Sequence, residues 1–368
     1  MPGSLLPHNN NLDVLRGLAV LGVLCHHLFA HTGLSIPFLG HYGGLLGVQL
    51  FFLISGYLII QSAQTSAVPA YLLRRGLRIF PVYWLVVTGW SIWYGKLNSG
   101  LLHQGWADFL ANLLALTHFV PTALLRFDVL TVSWTLSIEL AWYALVPLIV
   151  CLARRWPGQG FWLVLLLVAL PASSTWVWLA HSGKLDFLYA TALARAGIAP
   201  VSDFARFAFV VNAVPAQLVF FAMGVILWRY QAELSRLPTW LLLMVMVAMA
   251  GWPEHWNQWL HLNPSPASGV GLAALFVLVL RQQRWSLSPL KWLGDISYPV
   301  YLLHVPILLL VFQQWSVRGW AGAVLALSII LAAAVVLHRW VEQPCIALGR
   351  TLLSAGTKKH HAHPAQTV

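Results

Sequence analysis

Charged side chains are scarce in this chain of 368 residues, in which Asp, Glu, Lys and Arg together make up 8%. Soluble domains carry roughly 25%, so this composition excludes a chain whose surface lies mostly in water. Cysteine is also rare: Cys25, Cys151 and Cys345 show no paired spacing, which argues against a disulfide framework and against a zinc site. The polar opening stretch, residues 1–11, lacks the basic region of a cleaved signal. We therefore expect the first helix to direct membrane insertion.

Long apolar runs dominate what is present, since hydrophobic residues make up 59% of the chain. A helix that crosses the hydrocarbon core needs about 20 mainly apolar residues. The runs predict an all-α integral membrane protein with about ten transmembrane helices. We place these at residues 12–31, 42–63, 77–95, 134–153, 161–180, 207–230, 239–252, 267–280, 295–315 and 321–341. A shorter apolar stretch, residues 108–121, contains Asn112 and His118 and is predicted to be a re-entrant or interfacial segment.

The distribution of basic residues predicts the topology. With the N terminus in the cytoplasm, 14 of the 21 Lys and Arg residues fall in predicted cytoplasmic loops and 6 in the opposite loops. This bias follows the positive-inside rule, so we predict that both termini are cytoplasmic. The formal charge of +11 is scattered at the ends of the spans. No aromatic-basic recognition motif accompanies it, so we expect membrane lipids rather than nucleic acid as partners.

Ionisable residues inside predicted spans are costly and mark functional positions. Arg16 and His27 lie 11 residues apart in the first helix, which places them on one stripe of that helix, about 16 Å apart along its axis. Asp13 lies three residues before Arg16 on the same face. Two interpretations stay open: a functional line of polar groups, or a local ion pair between Asp13 and Arg16 with His27 as a hydrogen-bonded structural residue.

A carboxylate and a basic cluster are the other candidates. Glu139 is the only carboxylate in the fourth predicted span. A carboxylate beside an imidazole can fix its tautomer, so Glu139 either orients His27 or is a buried acid paired with an arginine. Arg74, Arg75 and Arg78 lie at the cytoplasmic end of the third predicted span. Guanidinium groups match phosphate geometry, so these arginines either bind the phosphates of a nucleotide-bearing donor or belong to an ordinary basic loop.

Five motifs follow one another in a fixed order, at residues 12–17 with His27, 47–57, 75–81, 134–139 and 294–304. Together they resemble the acyltransferase 3 family of membrane acyltransferases, which modify bacterial surface and secreted glycans. Residues 341–344 resemble the Glu-Arg-Pro element that closes the last helix of the family. Three positions depart from the family pattern: Gln49 replaces a common acidic residue, Thr135 a serine and Gln343 an arginine.

The resemblance implies an O-acyltransferase that uses cytoplasmic acetyl-CoA or another acyl-CoA as co-substrate and requires no metal. It implies transfer to a hydroxyl of a cell-surface or exported polysaccharide sugar, in the inner membrane of a bacterium. The acceptor would be a glycan or a lipid-linked oligosaccharide, with glycan-assembly proteins as partners. A proton-coupled transporter or flippase of a glycan precursor is the alternative. A haem protein with His27 and His304 as axial ligands is a third interpretation.

The resemblance also assigns roles to residues. His27 is implied to be the general base or the acyl acceptor, and Glu139 to orient its ring. Arg16 is implied either to be the third catalytic residue, which stabilises the thioester oxyanion, or to bind the donor. Donor binding is implied for Arg75 and Arg78, with Arg74 and Asp13 beside them. The groups expected to line the substrate tunnel are Ser55, Tyr57, Trp134, Ser137, Tyr301 and His304. The transmembrane domain is expected to span residues 1–345, and residues 346–368 to form a basic, disordered cytoplasmic tail.

Overall fold

The computed structural model describes residues 10–97, 99–195, 197, 206–250, 265–282 and 288–361. Within these ranges the chain is helical and contains no strand, so the all-α prediction is confirmed. The helices are α1 (Asn10–Thr32), α2 (Leu39–Gln64), α3 (Val68–Trp93), α4 (Ser99–Leu113), α5 (Pro121–Phe127), α6 (Trp134–Arg155), α7 (Gln159–His181), α8 (Phe187–Arg195), α9 (Val214–Arg229), α10 (Gln231–Leu234), α11 (Thr239–Ala250), α12 (Pro266–Arg281), α13 (Ser288–Asp295), α14 (Ser297–Leu309), α15 (Gly319–Leu337) and α16 (Gln343–His361). A 3-10 turn covers Thr117–Phe119, and π-helical turns cover Phe207–Val211, Leu310–Gln314 and His338–Glu342.

Seven helical stretches in the described part of the chain are long and apolar enough to cross a membrane. They are Asn11–Thr32, Leu39–Gln64, Trp134–Arg155, Gly160–His181, Phe207–Arg229, Ser297–Gln314 and Gly319–Leu353. The predicted count of about ten is not supported, because three predicted spans fall on other helices. The span at 77–95 lies in α3, which carries three arginines. The spans at 239–252 and 267–280 fall on α11 and α12, of which the structure describes 12 and 16 residues.

The outer surface of the helices is apolar. Leu167, Val247 and Val324 are 66%, 67% and 64% exposed. A water-facing surface rarely tolerates many large apolar side chains, whereas hydrocarbon is their natural surrounding. Together with the seven apolar helices, this surface identifies a multi-pass membrane protein.

Residues 108–121 do not form a span. Helix α4 is kinked at Gly105 (φ −147°, ψ 29°), and the 3-10 turn and the seven-residue α5 follow it. This broken segment packs on the start of α6: the Ser137 hydroxyl donates to the Ala115 carbonyl at 2.7 Å and accepts from the His118 N–H at 3.2 Å. The segment therefore supports the helix that carries Glu139.

The last helix extends further than the sequence predicted. A disordered tail was expected from residue 346, but the backbone of α16 is helical up to His361. Residues 362–368 lie outside the described residues.

Close backbone approaches fix the position of α1, which packs against α2, α12, α13 and α14. A Cβ atom at Gly43 of α2 would lie 2.3 Å from the Gly22 carbonyl oxygen of α1. A Cβ atom at Gly294 of α13 would lie 1.8 Å from the Asp13 carbonyl oxygen. Only glycine permits such contacts, which hold α1 along most of its length and so position its polar residues in the bundle.

Candidate active site

Two adjoining cavities lie in the bundle. The first, of about 120 Å³ and here called the arginine cavity, is lined by Arg16, Arg75, Arg78, Glu139, Ser55, Tyr143, Ser297, Tyr298, Thr135 and apolar side chains. The second, of about 330 Å³ and here called the histidine cavity, is lined by His26, His27, His41, Tyr42, Thr131, Trp134, Phe207, Asn212, Ser265, Ser268 and apolar side chains. Val48 and Tyr301 line both cavities, so the cavities meet at these two residues.

Three guanidinium groups converge on the arginine cavity. Arg16 reaches it from α1 and forms an ion pair with Asp13, with 2.6 Å between Nη1 and Oδ1. Arg75 and Arg78 reach it from α3, and the guanidinium carbon of Arg75 lies 6.0 Å from the ring centre of Tyr143. Asp13 pairs with Arg16, and Glu139 is the one carboxylate among the described residues that line the cavity. The positive charge therefore exceeds the negative charge, and the cavity suits an anionic ligand.

Glu139 is not placed beside His27. Its Oε1 accepts a hydrogen bond from the Ser55 hydroxyl at 3.0 Å and from the Tyr143 hydroxyl at 2.5 Å. Glu139 lines the arginine cavity, whereas His27 lines the histidine cavity. The predicted pairing of Glu139 with His27 is not formed, because α6 turns this carboxylate toward α2 and the arginines. Similar depth in two spans does not fix the rotation of either helix.

His27 lies instead among other imidazole rings. Its ring centre is 4.9 Å from that of His304, edge to face, and 5.7 Å from that of His31, which is stacked on it. The His27 Nδ1 atom is buried with no hydrogen-bond partner among the described residues. Direct contact between His27 and His304 leaves no room for a haem plane between them, so the interpretation as axial haem ligands is wrong. No group of three or more His, Cys, Asp or Glu side chains among the described residues is arranged to hold a metal ion.

The tautomer of His304 follows from its contacts. Its Nδ1 lies 2.7 Å from the Tyr301 carbonyl oxygen. A carbonyl oxygen only accepts hydrogen bonds, so Nδ1 carries the proton of the neutral ring and Nε2 keeps its lone pair. That Nε2 atom is buried and has no partner within the described part of the chain. The His304 ring that carries this lone pair packs edge to face against the His27 ring.

The residues predicted to line a tunnel divide between the cavities. Ser55 lines the arginine cavity, Trp134 the histidine cavity, and Tyr301 both. Tyr57 lies outside both linings and donates its O–H to Gln231 Oε1 at 2.7 Å. Ser137 and His304 are absent from both linings: Ser137 bonds to the broken segment before α6, and the His304 ring packs against the His27 ring.

The residues predicted beside the donor arginines are peripheral. Arg74 bonds to the Ser66 hydroxyl and is absent from the linings of both cavities. Asp13 forms an ion pair with Arg16 and is absent from the linings of both cavities. Arg75 and Arg78 are therefore the members of this cluster that face the arginine cavity.

Spacing along the sequence did not predict two interactions of the site. Tyr143 follows Glu139 by four residues, so the two share a helix face, and this signal was available. Tyr301 Oη lies 2.9 Å from Thr135 Oγ1, and the Thr135 hydroxyl donates to the Val132 carbonyl at 2.9 Å. Tyr301 is therefore the donor to Thr135, which fixes its hydroxyl at the junction of the cavities. No local pattern predicts that contact between α6 and α14.

Comparison with known proteins was consistent with these features. A family model described as "Acyltransferase domain", of the acyltransferase 3 family, matches residues 9–339. Nodulation protein 10 of Rhizobium leguminosarum bv. viciae is 27% identical over 94% of this chain and 96% of its own length. Acyltransferase MdmB of Streptomyces mycarofaciens is 25% identical over 92% of each chain.

A longer relative is the peptidoglycan O-acetyltransferase OatA of Listeria monocytogenes, which is 24% identical over 91% of this chain. The chain spans only 55% of the length of that protein. No solved structure matches the chain. Since the family model covers residues 9–339 of the 368, the chain belongs to the acyltransferase 3 family.

Proposed function

We propose that the chain is an O-acyltransferase that moves an acyl group, expected to be acetyl, from cytoplasmic acyl-CoA to a sugar hydroxyl of a surface or exported polysaccharide. The observation that carries the proposal is the meeting of an arginine-rich cavity with a histidine-lined cavity at Val48 and Tyr301. The first suits a phosphate-bearing thioester, and the second holds a group that can accept a hydroxyl proton. Membership of an acyltransferase family, and a relative named for O-acetylation of peptidoglycan, support the same chemistry.

The donor would bind in the arginine cavity. Guanidinium groups form charge-assisted, often bidentate hydrogen bonds with phosphates, and Arg75 and Arg78 both line this cavity from α3. Glu139, Ser55 and Tyr143 form a bonded group on the opposite wall. We assign these three residues to shaping the donor site rather than to proton transfer at His27.

The acceptor would react at the junction of the cavities. His27 removes the proton of the sugar hydroxyl as the oxygen attacks the thioester carbon. The C–S bond breaks, an ester C–O bond forms, and the proton passes to the sulfur of the departing thiolate, giving free CoA. His304, with a bare Nε2 beside the His27 ring, would stabilise the protonated state of His27.

The membrane setting completes the proposal. We propose the bacterial inner membrane, with the end of the bundle that carries Arg75 and Arg78 facing the cytoplasm, because Lys and Arg concentrate on the cytoplasmic side of membrane proteins. The arginine cavity would then open toward the cytoplasmic supply of acyl-CoA, and the histidine cavity toward the exported glycan.

The direct experiment measures thiol release from acetyl-CoA by the purified full chain, together with ester formation on added glycan. The proposal predicts both, and predicts loss of both ester and thiol production in His27→Gln. Mass analysis of surface glycans from parent cells and from a deletion strain would identify the acylated sugar. Glycan flux driven by a pH gradient, without thiol release, would instead establish the transporter or flippase alternative.

A further inference from the structure

The lining of the histidine cavity differs in charge from the lining of the arginine cavity. None of the described residues that line it is Asp, Glu, Lys or Arg. Its polar groups are hydroxyls, an amide and imidazoles, and Tyr42, Trp134 and Phe207 add aromatic surface. The adjoining arginine cavity has four charged side chains in its lining. The arginine cavity is therefore net positive, whereas the described lining of the histidine cavity carries no Asp, Glu, Lys or Arg.

Asn212 lines this cavity and has an unpaired polar atom. The residue is only 3% exposed, it lines the cavity, and its Oδ1 atom has no hydrogen-bond partner among the described residues. An unpaired buried amide oxygen costs roughly 1–3 kcal/mol, so native structures rarely retain one without a use. An amide oxygen only accepts, and the matching ligand group must therefore be a donor such as a hydroxyl.

Two serines supply complementary groups. The Ser265 oxygen accepts from the Ala267 N–H at 3.3 Å, which leaves the Ser265 proton available to a ligand. The Ser268 hydroxyl directs its proton to Gln49 Oε1 at 2.7 Å or the Ser265 carbonyl at 2.6 Å, which leaves a lone pair to accept. Mixed donors and acceptors beside aromatic rings match a polyol, in which every hydroxyl both donates and accepts.

From this chemistry we infer that the histidine cavity selects an uncharged sugar unit, with Asn212 accepting a hydrogen bond from one of its hydroxyls, and disfavours units that carry a carboxylate or phosphate. The inference rests on the proposed acyl transfer and names the substrate class of its acceptor. An anion entering this cavity would lose hydration without meeting a Lys or Arg among the described lining residues. That loss is costly, whereas a neutral hydroxyl exchanges water for the amide and serine groups.

The test compares two acceptors that differ only in charge. The purified full chain receives acetyl-CoA and either a methyl hexopyranoside or the same glycoside oxidised at C6 to the uronate. We expect kcat/KM for the neutral sugar to exceed that for the uronate by about tenfold or more, the scale on which unpaired polar groups discriminate. Equal or better use of the uronate overturns the inference.

Two variants locate the selectivity. Asn212→Ala should raise KM for the neutral sugar about tenfold, without raising KM for acetyl-CoA, because Asn212 lines only the histidine cavity. His41→Lys adds a cation at an exposed position of the same cavity and should lower the ratio of kcat/KM for the neutral sugar to kcat/KM for the uronate. His41→Gln should leave this ratio unchanged. Unchanged sugar KM in a folded Asn212→Ala protein would overturn the role of Asn212.

The outcomes separate the two proposals. Absence of thiol release and ester formation with every acceptor would refute acyl transfer itself. Ester formation on neutral and anionic sugars alike would refute only the selectivity of the histidine cavity.

Discussion

At the scale of single residues, the first prediction compares two arginines of α3. Arg78 lines the arginine cavity, whereas Arg74, one helical turn earlier, bonds to Ser66 outside it. A charge-assisted phosphate contact contributes about 1.5–3 kcal/mol, so Arg78→Ala should raise KM for acetyl-CoA roughly 10- to 100-fold. Arg74→Ala is the matched control and should change KM little. Equal effects of the two changes, measured by thiol release, would contradict donor binding by Arg78.

Glu139 supplies a second test at this scale. Its bonds to Ser55 and Tyr143 place it with the donor arginines, so Glu139→Ala, which leaves both hydroxyls without their acceptor and disturbs that wall of the cavity, should raise KM for acetyl-CoA. It should not displace the pH dependence of kcat/KM for the sugar, because His27 lies in the other cavity. A displaced pH profile with an unchanged donor KM would restore the direct pairing of Glu139 with His27.

The sequence predicted most of the polar residues of the site but not their arrangement. The sequence identified Arg16, Arg75, Arg78, Glu139 and His27 as polar groups in costly positions, and all five line one of the cavities. It did not separate them into two cavities, because depth along a helix is readable from spacing but rotation about the helix axis is set by packing. Asn212 lies outside every quoted motif, so only the folded chain places it at the site.

At the scale of helices, α1 depends on glycines in its neighbours. A Cβ atom at Gly294 would lie 1.8 Å from the Asp13 carbonyl oxygen, and the clashing atom is backbone. Overpacking typically costs 1–3 kcal/mol, and Gly294→Ala should reach the upper part of that range because the helix as a whole must move. Gly89→Ala is the control, since a Cβ atom there meets nothing within 4 Å. Melting temperatures of the purified variants in detergent decide between them, and equal values would contradict the close approach.

An ion pair outside the spans gives a pH-dependent prediction. Asp186, before α8, accepts hydrogen bonds from Arg206 at 3.1 and 2.8 Å. The bond to Arg206 holds the pKa of Asp186 below its ordinary value. A lowered carboxyl pKa contributes stability above the unfolded pKa of about 4, and this contribution is lost as the pH falls through the folded pKa.

Solvent screening limits the size of this effect, because both side chains are partly exposed and such pairs contribute less than about 1 kcal/mol. Asp186→Asn should therefore lower the melting temperature slightly at pH 7, and the difference from the unchanged chain should shrink below about pH 4. A difference that is constant across this range would show that the charge of Asp186 does not stabilise the fold.

At the scale of the whole molecule, composition predicted the membrane class, while span counting was less accurate. Apolar runs located the seven long helices, but the described parts of α11 and α12 have only 12 and 16 residues and α3 is rich in arginine. Hydropathy does not separate a short buried helix from a span, because both are apolar. The two cavities arise only when these helices pack together.

The central claim is that an acyl group passes from the arginine cavity to an acceptor in the histidine cavity on the other side of the membrane. The most direct measurement uses the full chain in sealed vesicles, with acetyl-CoA labelled in its acetyl group outside and neutral oligosaccharides enclosed within. The account predicts labelled ester on the enclosed sugar, free CoA outside, and neither product with His27→Gln. Ester formed only on sugar that shares the compartment of acetyl-CoA, or near-normal labelling by His27→Gln, would contradict it.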